Sequence, residues 1–181
     1  MTSKKPYEKL EEVLKSLDKD KPLNIFMHNQ PDPDTMSCAL ALEKIAGQYG
    51  KRCTIYYSQE SDFLMNRRTI NILNLPFTRL DPASYPEEII KAMDYVALVD
   101  VGINEKLKYH ELLEEKVVID IDHHTSSKSN EESDKFIYKK SAGACISFLI
   151  DWMKCMELKL DSDADKPLIL SSYLGLKVDT S

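Results

Sequence analysis

Short runs that are apolar along most of their length alternate, through nearly all of this sequence, with stretches of helical periodicity. A strand with one face in water alternates apolar and polar residues, whereas a strand covered on both faces reads as a continuous apolar run. The runs at 23–27 (LNIFM), 52–57 (RCTIYY), 95–99 (YVALV) and 116–121 (KVVIDI) are closer to the second kind. They predict an α/β fold, with a mainly parallel sheet flanked by helices.

The stretches between them supply the helices. Tyr7, Leu10, Val13, Leu14 and Leu17 recur at helical spacing and give an amphipathic first helix that stops before Lys21-Pro22. After a turn at 31–34, residues 36–49 predict a helix of small and apolar residues closed by Gly50. Further helices are expected over 62–73, 86–92, 142–156 and 166–177, with 105–115 helical or turn-like. The polar stretch 125–135 reads as a surface loop and 136–138 as a short strand. Neither an internal repeat nor a linker-like segment divides the sequence, so one domain over 1–181 is expected.

Composition removes several classes of function. Hydrophobic residues make up 43% and charged residues 30%, a folded rather than a disordered composition. The apolar runs are too short to span a bilayer, and the N-terminus lacks a signal peptide's apolar core, so a cytoplasmic location without a membrane partner is expected. A net charge of −6 makes a poor partner for duplex nucleic acid. It does not exclude phosphorylated substrates, because bound cations reverse the local field. Cys38, Cys53, Cys145 and Cys155 form no C-x-x-C pair. Neither a disulfide framework nor a thiolate zinc site is expected, and Cys38, Cys145 and Cys155 are read as buried free thiols.

Chemistry collects where the strands end. LNIFM runs into His28 and then Pro31-Asp32-Pro33-Asp34; YVALV runs into Asp100; KVVIDI runs into Asp122-His123-His124. Asp179 lies at the end of the last predicted helix. Three of the four histidines fall in this set, and the other, His110, reads as a solvated helix residue. A single aspartate after a strand is ordinarily a helix cap. So many imidazoles and carboxylates at the carboxyl edge of one sheet, where ligands bind in open parallel sheets, would be costly to bury without a cation. Nitrogen and oxygen donors without a thiolate suit Mn²⁺, Mg²⁺ or Fe²⁺. Two such ions about 3.5–4 Å apart would ionise a bridging water and neutralise charge on phosphoryl oxygens. Pro31 and Pro33 are expected to stiffen a hairpin that aims Asp32 and Asp34 at the two ions.

The same residues carry a resemblance. His28-x-x-Pro31-Asp32-x-Asp34 followed by a small-residue helix is similar to the first motif of the DHH phosphoesterase superfamily. Asp100 resembles its second motif, Asp122-His123-His124 is the signature that names it, and LKVDT ending in Asp179-Thr180 resembles the fourth. Thr35, Met36, Ser37 and Cys38 stand where relatives usually carry smaller residues, without removing a ligand.

The resemblance implies roles for individual residues. His28 and Asp32 would hold one ion, Asp34, His123 and Asp179 the other, with Asp100 bridging. His124 would donate to the phosphate and Asp122 would orient the histidines. Asn66-Arg67 is similar to a pair that lies near the cleft in some members, although a solvated helix face explains it equally well. Manganese is the expected cofactor, as two ions, with Mg²⁺ as the substitute.

The implied activity is hydrolysis of phosphodiester or phosphoanhydride bonds, like the nanoRNase and exopolyphosphatase-related members. The substrate would be a short oligonucleotide, polyphosphate or pyrophosphate. An inorganic pyrophosphatase is the alternative within this chemistry, and a non-catalytic metal-binding regulatory module the alternative outside it. A homodimer is compatible with any of these. Members continue into a C-terminal substrate-binding domain absent from this sequence, so it is expected to be a fragment or an unusually short member, weakly active alone.

Overall fold

A computed structural model describes residues 4–59, 61–80, 87–102, 107, 109–124, 134–161 and 163–179. Its centre is a six-stranded parallel sheet in the order β3-β2-β1-β4-β5-β6. The strands are β1 (Leu23–Phe26), β2 (Cys53–Tyr57), β3 (Phe77–Arg79), β4 (Tyr95–Val99), β5 (Val117–Asp122) and β6 (Phe136–Lys139). The helices are α1 (Pro6–Ser16), α2 (Pro33–Gly47), α3 (Leu64–Ile72), α4 (Glu87–Lys91), α5 (His110–Leu113), α6 (Ile146–Cys155) and α7 (Lys166–Asp179). The expected α/β architecture is present, and the helices cover both faces of the sheet.

The chain runs from β1 outward through β2 to β3, then returns to the other side of β1 and runs outward again through β4, β5 and β6. The order reverses between β1 and β4, which opens a crevice beyond their carboxyl ends. Strand register carries Ile25 opposite both Ile55 and Ala97, so the central strands end at similar heights.

Burial follows the apolar runs. One cluster joins Leu10, Val13 and Leu14 of α1 and Met36, Leu42 and Ile45 of α2 to Ile25, Val99 and Ile119 of the sheet. The opposite face packs Phe26, Leu98 and Val117 against Ile90 and Leu113. Every residue of β1 is buried, and α2 is buried nearly all round, which is why its small and apolar residues show little sidedness. Lys51 donates to the Leu17 carbonyl just past the end of α1, so this buried ammonium closes a helix end.

The structure moves several expected boundaries. Helix α2 starts at Pro33 rather than at residue 36, and the turn ends sooner. Proline suits the first helical position, and Asp32 caps the helix by accepting from the Thr35 amide at 3.0 Å. Asp34 therefore sits in the first turn of a helix, not in a stiff hairpin. Helix α6 starts at Ile146 rather than at 142, and α7 runs on to Asp179. Strand β3 gave no sequence signal: it has three residues, follows Pro76 and, among the described residues, pairs only with β2. The 105–115 stretch is helical over His110–Leu113 and continues as a 3₁₀ turn over Glu114–Lys116, with 105, 106 and 108 outside the described residues. Pro86 and most of the expected loop, 125–133, also lie outside them.

All four cysteines are free. Cys155, expected to be buried, is exposed in the last turn of α6. Among the described residues no helix is long and apolar enough to cross a membrane.

Candidate metal centre

The crevice at the strand-order reversal is a cleft of about 910 Å³ lined by the expected residues His28, Asp32, Asp100, Asp122, His123, His124 and Asp179. Each strand end contributes through its own local geometry. His28 follows β1, and its Nε2 lies 3.4 Å from Asp32 Oδ2. The other oxygen of Asp32 is occupied by capping α2, so one carboxylate both starts the helix and faces the cleft. Burial alone would push Asp32 upward. The hydrogen bond and charge of His28, with the Thr35 and Asp34 amides, outweigh it and hold the carboxyl below its ordinary value.

Asp34 is fully buried. Its Oδ2 accepts from the Cys145 amide at 2.6 Å, and its Oδ1 accepts from the Ile146 amide at 2.9 Å. These amides belong to the N-terminus of α6, where unpaired N–H groups and the helix dipole favour negative charge. The later start of α6 is what frees them.

Asp100 follows β4 in the left-handed backbone region, with φ of 56°. Side chains other than glycine's rarely adopt that region, and strain of this kind collects at functional sites. Its Oδ1 is buried and, among the described residues, accepts no well-aligned hydrogen bond; His123 Nε2 faces it 3.2 Å away. Burial raises Asp100 to about 6, and the charges of Asp34 and Asp32 add to the rise while His123 opposes it.

His123 and His124 leave β5 with ring centroids 4.2 Å apart and part company at once. His123 Nδ1 lies 3.1 Å from the Ala142 carbonyl. With the proton on Nδ1, donated to that carbonyl, Nε2 is left facing Asp100 at 3.2 Å, Asp179 at 3.9 Å and Asp34 at 4.0 Å. His124 is instead held by Asp122, whose Oδ1 accepts from the His124 amide at 2.9 Å and lies 2.8 Å from Nδ1. Asp122 thus holds His124, while a backbone carbonyl holds His123, a division of labour the sequence did not suggest.

Asp179 reaches the cleft from the last turn of α7, and burial followed by the charges of Asp34 and Asp32 raises it to about 6.

Among the described residues three groups of donors emerge, each with its atoms within 4.8 Å of one another: His28, Asp32 and Asp100; Asp34, His123 and Asp179; and Asp100, His123 and His124. The first two share no residue, and Asp100 stands between them through its contact with His123. Two observations fit these groups to divalent cations. The donors are all nitrogen and oxygen, and a buried carboxylate oxygen, that of Asp100 facing His123, accepts no well-aligned hydrogen bond. The Asp100 carboxylate, 3.2 Å from Nε2, raises His123 to about 9, so at neutral pH its imidazolium supplies the positive charge between the carboxylates. Metal binding there must displace that proton.

The cleft is also lined by Asn29, Gln30, Gln59 and Gly143, none of which the sequence singled out. Asn29 and Gln30 lie between His28 and Asp32, and that position was the available signal. Gln59 had none: it is brought in by its amide, which donates to the Asn29 carbonyl at 2.9 Å. Asn66 and Arg67 lie on α3, where Asn66 Nδ2 donates to Ser61 Oγ at 3.2 Å, and neither lines the cleft. His110 begins α5, half-buried and away from the cleft.

Residues 22–176 match the N-terminal domain of the DHH family. The chain belongs to the DHH family. Two relatives come from Methanocaldococcus jannaschii. The uncharacterized protein MJ1633 is 26% identical over 164 residues, which span 90% of this chain and 31% of that protein. The uncharacterized protein MJ0988 is 32% identical over 171 residues, spanning 93% of this chain and 48% of that protein. This DHH chain therefore spans about a third and about half of the lengths of these relatives. The crystal structure of an exopolyphosphatase-related protein from Bacteroides fragilis superposes with a TM-score of 0.69 at 16% identity, covering 97% of this chain and 50% of that one. That likeness establishes the shared fold.

The raised groups give the metal-free DHH domain a distinctive response to pH. Asp100 and Asp179, ordinarily near 3.8, are raised to about 6, and His123, ordinarily near 6.5, is raised to about 9. In each case the folded state holds its proton more tightly than the unfolded state. The stabilisation is complete below the ordinary value and is lost as pH rises through the raised one. Thermal unfolding in a chelator should therefore show lower stability at pH 9 than at pH 5, with separate losses over 4–6 and 6.5–9. Saturating metal should flatten that slope. A metal-free protein equally stable at both pH values would contradict this account of the three groups.

Proposed function

We propose that the chain is the catalytic domain of a metal-dependent phosphoesterase that hydrolyses phosphodiester or phosphoanhydride bonds with two divalent cations, Mn²⁺ or in its place Mg²⁺. The observation that carries the reading is the pair of separate donor groups joined through Asp100, whose buried inner oxygen faces His123 without a well-aligned hydrogen bond. Family membership and the fold shared with an exopolyphosphatase-related protein support it.

In this reading His28, Asp32 and Asp100 would hold one ion and Asp34, His123 and Asp179 the other, with Asp100 available to both. A pair of such ions supplies an ionised water at neutral pH and takes up charge on the phosphoryl oxygens. The chain's own residues do the rest. The α6 amides fix Asp34, and the Ala142 carbonyl fixes the face of His123. Asp122 accepts from His124 Nδ1 and leaves Nε2 for the cleft, consistent with the exposure of that ring there; as the imidazolium, with a proton on each nitrogen, the ring would donate from Nε2 to a phosphoryl oxygen. The substrates are small phosphorylated molecules, namely short oligonucleotides, polyphosphate or pyrophosphate.

The test is metal analysis followed by assay. Protein purified in Mn²⁺ should retain about two ions per chain, as two-metal hydrolases do. Saturating metal should raise the melting temperature, because a ligand that binds only the folded state stabilises it by mass action. Assays of the three substrate types in Mn²⁺ and in Mg²⁺ should reveal hydrolysis of at least one. Tightly held zinc on cysteine, or two bound ions with no turnover of any of them, would count against the reading, the second in favour of a regulatory metal-binding module.

A further inference from the structure

We propose that Gly175 is a positioning residue of the metal centre: it lets α7 approach the first turn of α2 closely enough to set the separation of Asp34 and Asp179. This rests on the two-ion reading above, in which these two carboxylates share an ion with His123.

A Cβ at position 175 would lie 2.9 Å from Asp34 Cα, 3.1 Å from the Asp34 amide nitrogen and 3.1 Å from the Pro33 carbonyl oxygen. All three are backbone atoms, so no side chain can swing aside to make room. Asp179 lies one helical turn beyond Gly175 on the same face of α7, so displacement at 175 is passed directly to its carboxylate.

The two helices run antiparallel and are clamped at both ends. Far from the cleft, Lys44 Nζ on α2 pairs with Asp165 just before α7 at 2.8 Å. From that clamp to the Asp34–Gly175 contact is ten residues on either helix, about 15 Å of rise along each. The matched spacing keeps the two helices in step along their axes, and the backbone contact at Gly175 sets their approach at the metal end. Restoring an ordinary contact means moving Cβ from 2.9 Å to at least 3.4 Å. Ligand distances in metal sites are held within about 0.2 Å, so such a shift exceeds what the ion at Asp34, His123 and Asp179 can absorb.

The experiment is Mn²⁺ titration by calorimetry and paramagnetic resonance on the whole chain, with unfolding curves recorded without metal. Gly175→Ala should keep one ion and bind the second about 10–100-fold more weakly, the loss usual when support for a ligand is disturbed. Alanine is the better helix former, so propensity cannot account for the loss. Gly47→Ala, at a position where a Cβ meets nothing within 4 Å, should bind both ions as the natural chain does.

Asp179→Glu gives a test that does not depend on Gly175→Ala folding. In the natural backbone the extra methylene overshoots a fixed gap and should weaken the second ion, while in the Gly175→Ala background it should recover part of the loss. Unchanged affinity in Gly175→Ala, equal weakening of both ions, or additivity of the two substitutions would overturn the assignment to Gly175 while leaving the metal centre standing. A natural chain that binds no Mn²⁺ would overturn both.

Discussion

Asp100→Asn should yield a protein that is more stable without metal and unable to hold two ions. Asparagine keeps the shape and tolerates the left-handed backbone found at φ of 56°, so the fold at the end of β4 is retained. It removes a charge that burial and the neighbouring carboxylates oppose, as the rise of Asp100 from 3.8 to about 6 reflects. That rise is worth about 3 kcal/mol at neutral pH. Part is returned because the asparagine amide must itself be buried in the same place. A net gain of about 1–2 kcal/mol for the metal-free protein is expected from chemical denaturation at neutral pH.

The same substitution leaves both donor groups without the carboxylate that joins them, so Mn²⁺ retention should fall from about two ions to one or fewer and hydrolysis should be lost. A variant that is less stable without metal, or that still retains two ions, would show that Asp100 is a structural residue and not the bridge.

The adjacent histidines should separate metal holding from catalysis. His123 is mostly enclosed, with Nε2 within 4.0 Å of three carboxylates, so His123→Ala removes the nitrogen proposed to bind metal and should sharply lower occupancy. His124 is 64% exposed and is held by Asp122, with its Nδ1 4.0 Å from Asp100. His124→Ala should leave occupancy nearly intact while reducing kcat about 10²–10³-fold, the usual effect of removing one donor to developing phosphoryl charge. Asp122→Asn should give a milder loss of the same kind, because it alters how the ring is held without removing it. Metal content measured beside kcat for all three variants decides the matter. Equal metal loss in the two alanine variants would mean that His124 is a ligand, as its grouping with Asp100 and His123 would allow.

The sequence by itself determined the parts of this protein that are local in the chain. Apolar runs set β1, β2, β4 and β5, because a strand covered on both faces needs apolar residues on both sides. Donors written immediately after those runs had to emerge at one edge, since parallel strands end together. Hence His28, Asp32, Asp100, Asp122, His123 and His124 could be brought to one cleft on paper.

The tertiary structure decided what depends on residues far apart in sequence. Asp34 is held by amides of Cys145 and Ile146, more than a hundred positions away, and no local pattern marks a backbone N–H as a partner. The Ala142 carbonyl that turns His123 was hidden in a stretch expected to be helical. Gln59 enters the cleft through a contact between two loops, and β3 exists because β2 offers an edge to pair with. No local pattern marks Gly175, whose place is set by the Asp34 backbone standing against it. Propensity and periodicity act over a few residues, whereas these positions follow from how α2, α6 and α7 pack, which a one-dimensional pattern does not contain.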